Sequence, residues 1–138
     1  MSKINTFVFA GVTDGLQVTA GDTDDDGMAE IAGAKGPAPG ADSAIAVYDY
    51  DGTALVEKAG SRFLAFAGSL GGASGAFGQW WDRDFHLELL ASRGALPSST
   101  CEVRAFDDAA AGFGTLGTFD PYPAQTHGST LASSEVGF

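Results

Sequence analysis

The most informative segment of the sequence is LQVTAGDTDDDGMAEIAGAK, residues 16–35, where an acidic loop separates two short runs of alternating apolar residues. Alternation with a period of two is typical of half-buried β-strands. Similar short runs recur at residues 44–50, 85–89 and 103–106, divided by clusters rich in Gly, Asp and Pro, and helical periodicity is weak. The sequence therefore predicts an all-β fold of many short strands joined by tight turns.

Internal similarity predicts a repeat of about 58 residues. FVFAG resembles FLAFAG, AEIAGAKGPAP resembles LELLASRGALP, and AIAVYDYDG resembles EVRAFDDAA, and the three matches share one spacing apart from a single slipped position. We expect one domain over residues 1–138, with repeats at about 5–61 and 62–116 and a partial third at about 117–138. Each repeat would hold four antiparallel strands, the size of a propeller blade. The four are FVFAG, the strands before and after the acidic loop, and one that turns at Asp51-Gly52.

The acidic loop has the spacing of a Ca²⁺ site. Its acidic side chains stand at loop positions 1, 3, 5 and 9, and the glycine at position 6 permits a sharp turn. Ca²⁺ takes six to eight oxygen ligands in flexible geometry and suits this loop better than Mg²⁺. We therefore expect a Ca²⁺ site rather than a solvated acidic turn. The predicted ligands are the carboxylates of Asp22, Asp24, Asp26 and Glu30, and the backbone carbonyl of Met28.

The second repeat carries an altered form of this loop, QWWDRDFHLEL, residues 79–89. A tryptophan replaces the first acid, and an arginine adds a positive charge, so we expect this loop to have lost its metal. The corresponding acids, whose metal binding is left open, are Asp82, Asp84 and Glu88. The aromatic residues either pack the loop shut or form a surface for a glycan or protein partner. The candidate partner-binding residues are Trp80, Trp81 and Tyr122.

FVFAG, AGDTDDDGMAEIAGAKGP and IAVYDYDGTAL, in that order, resemble the FG-GAP or VCBS-like repeat of integrin-type β-propellers. The resemblance covers residues 6–55 well, residues 63–107 loosely and residues 118–133 as a partial start. It implies a Ca²⁺ loop between the first two strands of a blade, with the ligands named above. Such propellers close with several blades. Two blades and a partial third therefore imply completion by oligomerisation, or repeats that stack in another way.

Composition narrows the function classes. The chain has 18 acidic and 7 basic residues, a net charge of −11, which disfavours binding to nucleic acids and to anionic membranes. No apolar run is long enough for a membrane span or a signal peptide. A single cysteine, Cys101, excludes an intramolecular disulfide and a thiolate metal cluster. His86 and Glu88 match the H-x-E half of a deaminase motif, but the Cys-x-x-Cys half is absent.

These patterns favour a non-enzymatic structural or assembly protein. We expect a Ca²⁺-stabilised β-repeat subunit that forms a homo-oligomer at a cell surface, in a filament or in a virion coat, and therefore outside the cell. A glycan- or protein-binding adhesion module is the first alternative. A hydrolase using a pair of carboxylates is the second.

Overall fold

The computed structural model describes residues 8–13, 15–79, 86–109 and 112–132. Within these ranges the chain forms nine β-strands and no helix. The predicted all-β class is therefore confirmed. The strands are β1 (Leu16–Gly21), β2 (Glu30–Lys35), β3 (Ala44–Tyr50), β4 (Leu55–Glu57), β5 (Phe63–Leu64), β6 (Ala73–Gly78), β7 (Glu88–Arg93), β8 (Val103–Ala109) and β9 (Gly112–Phe119).

The strands form two antiparallel sheets. The first has the order β1-β2-β3-β4, with the two-residue strand β5 also pairing with β3. The second has the order β6-β7-β8-β9. In each sheet the four main strands pair in chain order, because the connections between them are short and antiparallel neighbours need only a tight turn. The hairpin predicted at Asp51-Gly52 joins β3 to β4: the Asp51 carboxylate accepts hydrogen bonds from two backbone N–H groups, and Gly52 has φ +88°.

The core lies between the two sheets. Its largest members, which come from both sheets and from the segment between them, are Ile45, Phe66, Phe77, Leu89 and Phe106. Burial of each such side chain contributes about 1.5–3 kcal/mol. The sheets are in close contact where β1 ends, since a Cβ atom on Gly21 would lie 2.8 Å from Leu87 Cδ1 and 2.9 Å from Phe77 Cβ. The acidic loop therefore starts against the second sheet.

The prediction of a strand at FVFAG is wrong for residues 8–11, the part that the structure describes. These residues form a turn in which the Val12 N–H donates to the Phe9 carbonyl at 3.3 Å. Its counterpart in the second repeat is also mostly a turn, with the Ser69 N–H donating to the Phe66 carbonyl at 3.0 Å. Each turn ends on a glycine with positive φ, which extended strands do not accommodate. The glycines are Gly11 and Gly68.

The segment from residue 117 onward was predicted to open a third repeat. Residues 117–119 are the end of β9 in the second sheet. After them, the Gln125 N–H donates to the Tyr122 carbonyl at 3.0 Å and closes another turn. Residues 126–132 then run along the second sheet, where the Ser129 N–H donates to the Arg93 carbonyl and the Leu131 N–H to the Ser74 hydroxyl.

Glycines allow very close approaches between backbone segments, as at Gly72 and Gly128. A Cβ atom on Gly72 would lie 2.2 Å from the Gly36 carbonyl oxygen, and one on Gly128 would lie 2.3 Å from the Gly94 carbonyl oxygen. Real Cβ atoms do not approach oxygen so closely, so both sites require glycine. Cys101 is buried beside β8. In the part of the chain that the structure describes, no helix has the length and apolar character needed to cross a membrane.

Candidate metal centre

The acidic loop is held in a tight curl between β1 and β2. The two strands pair in register up to Gly21 opposite Glu30. Inside the loop, the Gly27 N–H donates to Asp22 Oδ2 at 3.0 Å, and positive φ angles of 58° at Asp25 and 86° at Gly27 reverse the chain. Glycine adopts this conformation readily and aspartate tolerates it better than most residues. The loop geometry thus follows from its Asp and Gly content.

Three carboxylates converge at the base of this loop. Asp22, Asp24 and Glu30 each offer an oxygen, and these oxygens lie within 4.8 Å of one another. Glu30 has 0% exposure, and its Oε2 accepts hydrogen bonds of 2.6 Å from both the backbone N–H and the hydroxyl of Thr23. All the donor atoms are carboxylate oxygens, which are the ligands that hard cations such as Ca²⁺ prefer.

Two oxygens of this cluster are buried and unsatisfied. Glu30 Oε1 and Asp22 Oδ1 have no hydrogen-bond partner among the residues that the structure describes. A buried polar atom without a partner costs about 1–3 kcal/mol, and more when it is charged. Burial raises the pKa of Glu30, and the Thr23 hydrogen bonds oppose that rise. A divalent cation between these oxygens would satisfy both of them and offset the repulsion within the cluster.

A cation from the protein itself already touches the cluster. Lys58 Nζ lies 3.1 Å from Asp24 Oδ2 and 2.6 Å from Asp108 Oδ2. The Thr23 hydroxyl lies 2.8 Å from the same Asp108 oxygen. Burial acts to lower the pKa of Lys58, but its hydrogen bonds to Asp108 and Asp24 prevail and hold the pKa above its ordinary value. Because Asp108 belongs to β8, this network joins the acidic loop to the second sheet.

The sequence pattern did not indicate Lys58 or Asp108, both of which lie far from Asp24 along the chain. It also did not indicate Asp49, whose Oδ1 is buried and lacks a partner within the described ranges. Ile31 pairs with Tyr48, so the next residues, Glu30 and Asp49, face each other across β2 and β3. An alternation signal was present for Asp49, since it follows the buried Ile45 and Val47 at a spacing of two.

One predicted ligand, Asp26, lies outside the group of three carboxylates. Its Oδ1 accepts a 2.7 Å hydrogen bond from the Met28 N–H. Aspartate often bonds in this way to the backbone two residues on, because the short side chain reaches that N–H without strain. The geometry therefore groups Asp22, Asp24 and Glu30 of the predicted set and leaves Asp26 outside the group, while the Met28 carbonyl stays a prediction.

Some of the remaining predicted residues lie within the described ranges and others lie outside them. The acids and tryptophans of the second loop fall outside them: Trp80, Trp81, Asp82 and Asp84. Glu88 is buried on β7, opposite Gly78 in β6. Tyr122 is 62% exposed, as a partner-binding residue must be. His86 Nδ1 lies 3.8 Å from Asp25 Oδ2, so the end of the second loop reaches the first.

Comparison with known proteins adds no assignment. No family model matches the chain, and no curated protein and no solved structure is significantly similar to it.

Proposed function

We propose that the chain is a non-enzymatic structural module stabilised by Ca²⁺ at Asp22, Asp24 and Glu30. The observation that carries the proposal is the state of Glu30, which is fully buried with one oxygen lacking a partner among the described residues. The Glu30 carboxylate stands beside two further carboxylates. A protein gains nothing from burying an unpaired carboxylate in an acidic cluster, whereas a Ca²⁺ ion there turns the repulsion into attraction.

The proposal extends to the architecture of two blade-like repeats and the start of a third. The same hydrogen-bonded turn recurs at Phe9, Phe66 and Tyr122, which are almost evenly spaced along the chain. Each turn is followed by a glycine with positive φ at the same distance: Gly15, Gly72 and Gly128. This recurrence supports a repeat whose unit is a turn followed by a four-stranded antiparallel sheet.

The turns differ in what covers them, which supports assembly. Phe66 is 1% exposed, with the guanidinium carbons of Arg93 and Arg104, both from the second sheet, 4.9 and 4.8 Å from its ring centre. The equivalent Tyr122 is 62% exposed. In this proposal, a second copy of the chain covers Tyr122. The resulting homo-oligomer belongs at a cell surface, in a filament or in a virion coat, where Ca²⁺ is abundant.

Calorimetric Ca²⁺ titration tests the metal site. We expect the wild-type protein to bind Ca²⁺, and Asp24→Asn to weaken binding by at least about tenfold, since it removes a charged ligand. Asp26→Asn is the matched control, because it removes the same charge from the same loop while an Asn Oδ1 still accepts the Met28 N–H. Absence of Ca²⁺ binding by the wild type would refute the metal site. An equal loss in both variants would instead place Asp26 among the ligands.

Sedimentation velocity over a wide concentration range tests assembly. We expect association that Tyr122→Ala weakens and Leu70→Ala leaves unchanged. Leu70 is the matched control because it is also 62% exposed. A strict monomer at micromolar concentration in Ca²⁺ would overturn the assembly proposal and leave the metal site standing.

A further inference from the structure

We infer that Lys58 is a built-in competitor of the metal: its ammonium occupies Asp24 in the metal-free protein and moves to Asp108 alone when Ca²⁺ binds. The inference rests on the proposed Ca²⁺ site and adds the residue that sets its affinity. In this role Lys58 controls whether the Asp24 carboxylate is available to the ion. Asp108 holds the ammonium group of Lys58 once Ca²⁺ has displaced it from Asp24.

The ammonium group of Lys58 is held between two carboxylates. Lys58 follows β4, and its backbone N–H donates to the Val47 carbonyl at 3.0 Å, so the start of its side chain is fixed on the sheet. The side chain is 19% exposed and reaches Asp24 Oδ2 at 3.1 Å and Asp108 Oδ2 at 2.6 Å. An ammonium carries three hydrogens, so it serves both carboxylates at once.

Lys58 and a bound Ca²⁺ ion would compete for the Asp24 carboxylate. Ca²⁺ binds carboxylate oxygens at about 2.3–2.6 Å. Asp24 cannot turn to the ion and also hold Lys58 without bringing two positive charges close together at a partly buried site. Coulomb repulsion at such separations amounts to several kcal/mol where the effective dielectric constant is about 20. The ammonium therefore gives up Asp24, and its shorter contact with Asp108 provides a place for it.

Displacement of Lys58 from Asp24 would also affect the contact between the two sheets. Asp108 belongs to β8, while the acidic loop and Lys58 belong to the first sheet. When Ca²⁺ displaces Lys58 from Asp24, the ammonium is left with one carboxylate partner, on the second sheet. Ca²⁺ binding thus strengthens one ionic contact between the sheets as it fills the loop.

The experiment compares Ca²⁺ affinities of the full chain by calorimetry, with three variants. Lys58→Met removes the competitor and keeps the length of the side chain, and we expect it to tighten Ca²⁺ binding by about tenfold or more. Lys58→Arg keeps the charge and should stay near the wild type. Lys35→Met is the matched control, because Lys35 pairs with Asp42 at 2.9 Å and is absent from the cluster. We expect it to change the affinity less than about twofold, which is the effect of net charge alone.

A second measurement uses the wild-type fold and so does not depend on the stability of any variant. The wild-type protein is labelled uniformly with ¹³C, and the lysine Cε–Hε resonances are followed by NMR during Ca²⁺ addition. We expect the Lys58 Cε–Hε resonance to shift with saturation and the Lys35 resonance to stay in place.

The outcomes separate the two proposals. Equal affinities for Lys58→Met and Lys35→Met, or a Lys58 resonance that ignores bound Ca²⁺, would overturn the competitor role while the Ca²⁺ site stands. Absence of binding in every protein would remove both proposals.

Discussion

Replacing Phe66 by alanine provides a demanding test of the packing between the sheets. The ring is 1% exposed, and the residue is fixed on both sides: Ser43 exchanges two 2.8 Å hydrogen bonds with its backbone, while Arg93 and Arg104 lie over the ring. A buried Phe→Ala change costs about 3–5 kcal/mol. The lost cation–π contacts add about 0.5–1 kcal/mol each. The total is a large part of the roughly 5–15 kcal/mol that holds a typical domain folded.

Urea denaturation followed by tryptophan fluorescence measures this loss, provided that dilute protein is used so that association does not contribute. We expect Phe66→Ala to lower the free energy of unfolding by at least about 3 kcal/mol and the melting temperature by about 10 °C or more. Tyr122→Ala is the control in the equivalent turn and should change stability by less than about 0.5 kcal/mol. A Phe66→Ala cost below about 1 kcal/mol, or equal costs for both variants, would refute this description of the core.

Three further predictions concern the metal and the close backbone contacts. Removing Ca²⁺ from a protein held at a hundred times its dissociation constant should cost about 2.7 kcal/mol, a fall of about 10 °C in calorimetric melting temperature; an unchanged melt contradicts the site. Burial raises the pKa of Glu30, so its stabilising contribution is present at low pH and lost as pH rises through that pKa. In chelator, the wild type should therefore gain stability relative to Glu30→Gln as pH falls from 7 towards 4.5, and a flat difference would contradict this. Gly72→Ala should cost over about 3 kcal/mol by urea denaturation because its Cβ would lie 2.2 Å from a carbonyl oxygen, whereas Gly52→Ala, with positive φ but open space, should cost about 1–2 kcal/mol; equal costs would show that φ alone matters.

The strands were predictable where short apolar runs stand beside turn residues. The pairs β1–β2 and β2–β3 follow from alternating apolar residues around a polar loop, and the hairpin after Tyr50 follows from Asp51-Gly52. FVFAG has the same alternation, and yet its described residues 8–11 form a turn. The glycine that ends it adopts a positive φ, and the Val8 carbonyl is bound by the Arg62 side chain instead of a neighbouring strand. Sequence alternation does not reveal which strand, if any, is available to pair.

The same difference between local and long-range contacts determines which residues of the candidate site were predictable. Asp22, Asp24 and Glu30 come together because one loop and one hairpin register position them, and both are local. Lys58 reaches the site through strand pairing within the first sheet, and Asp108 reaches it through the packing of the two sheets; no spacing in the sequence encodes either. Local spacing also leaves open whether an aspartate faces the centre or bonds to its own loop, so Asp26 was expected to be a ligand.

The glycine contacts have a consequence for how such a chain can change over generations. At Gly72 and Gly128, main chain meets main chain, and the distance between successive layers does not depend on which side chains fill the interior. Core residues can therefore drift in size and identity while these glycines stay fixed as spacers. Distant relatives of this protein should be recognisable by a constant interval between the two glycines, even where the rest of the sequence has diverged beyond alignment.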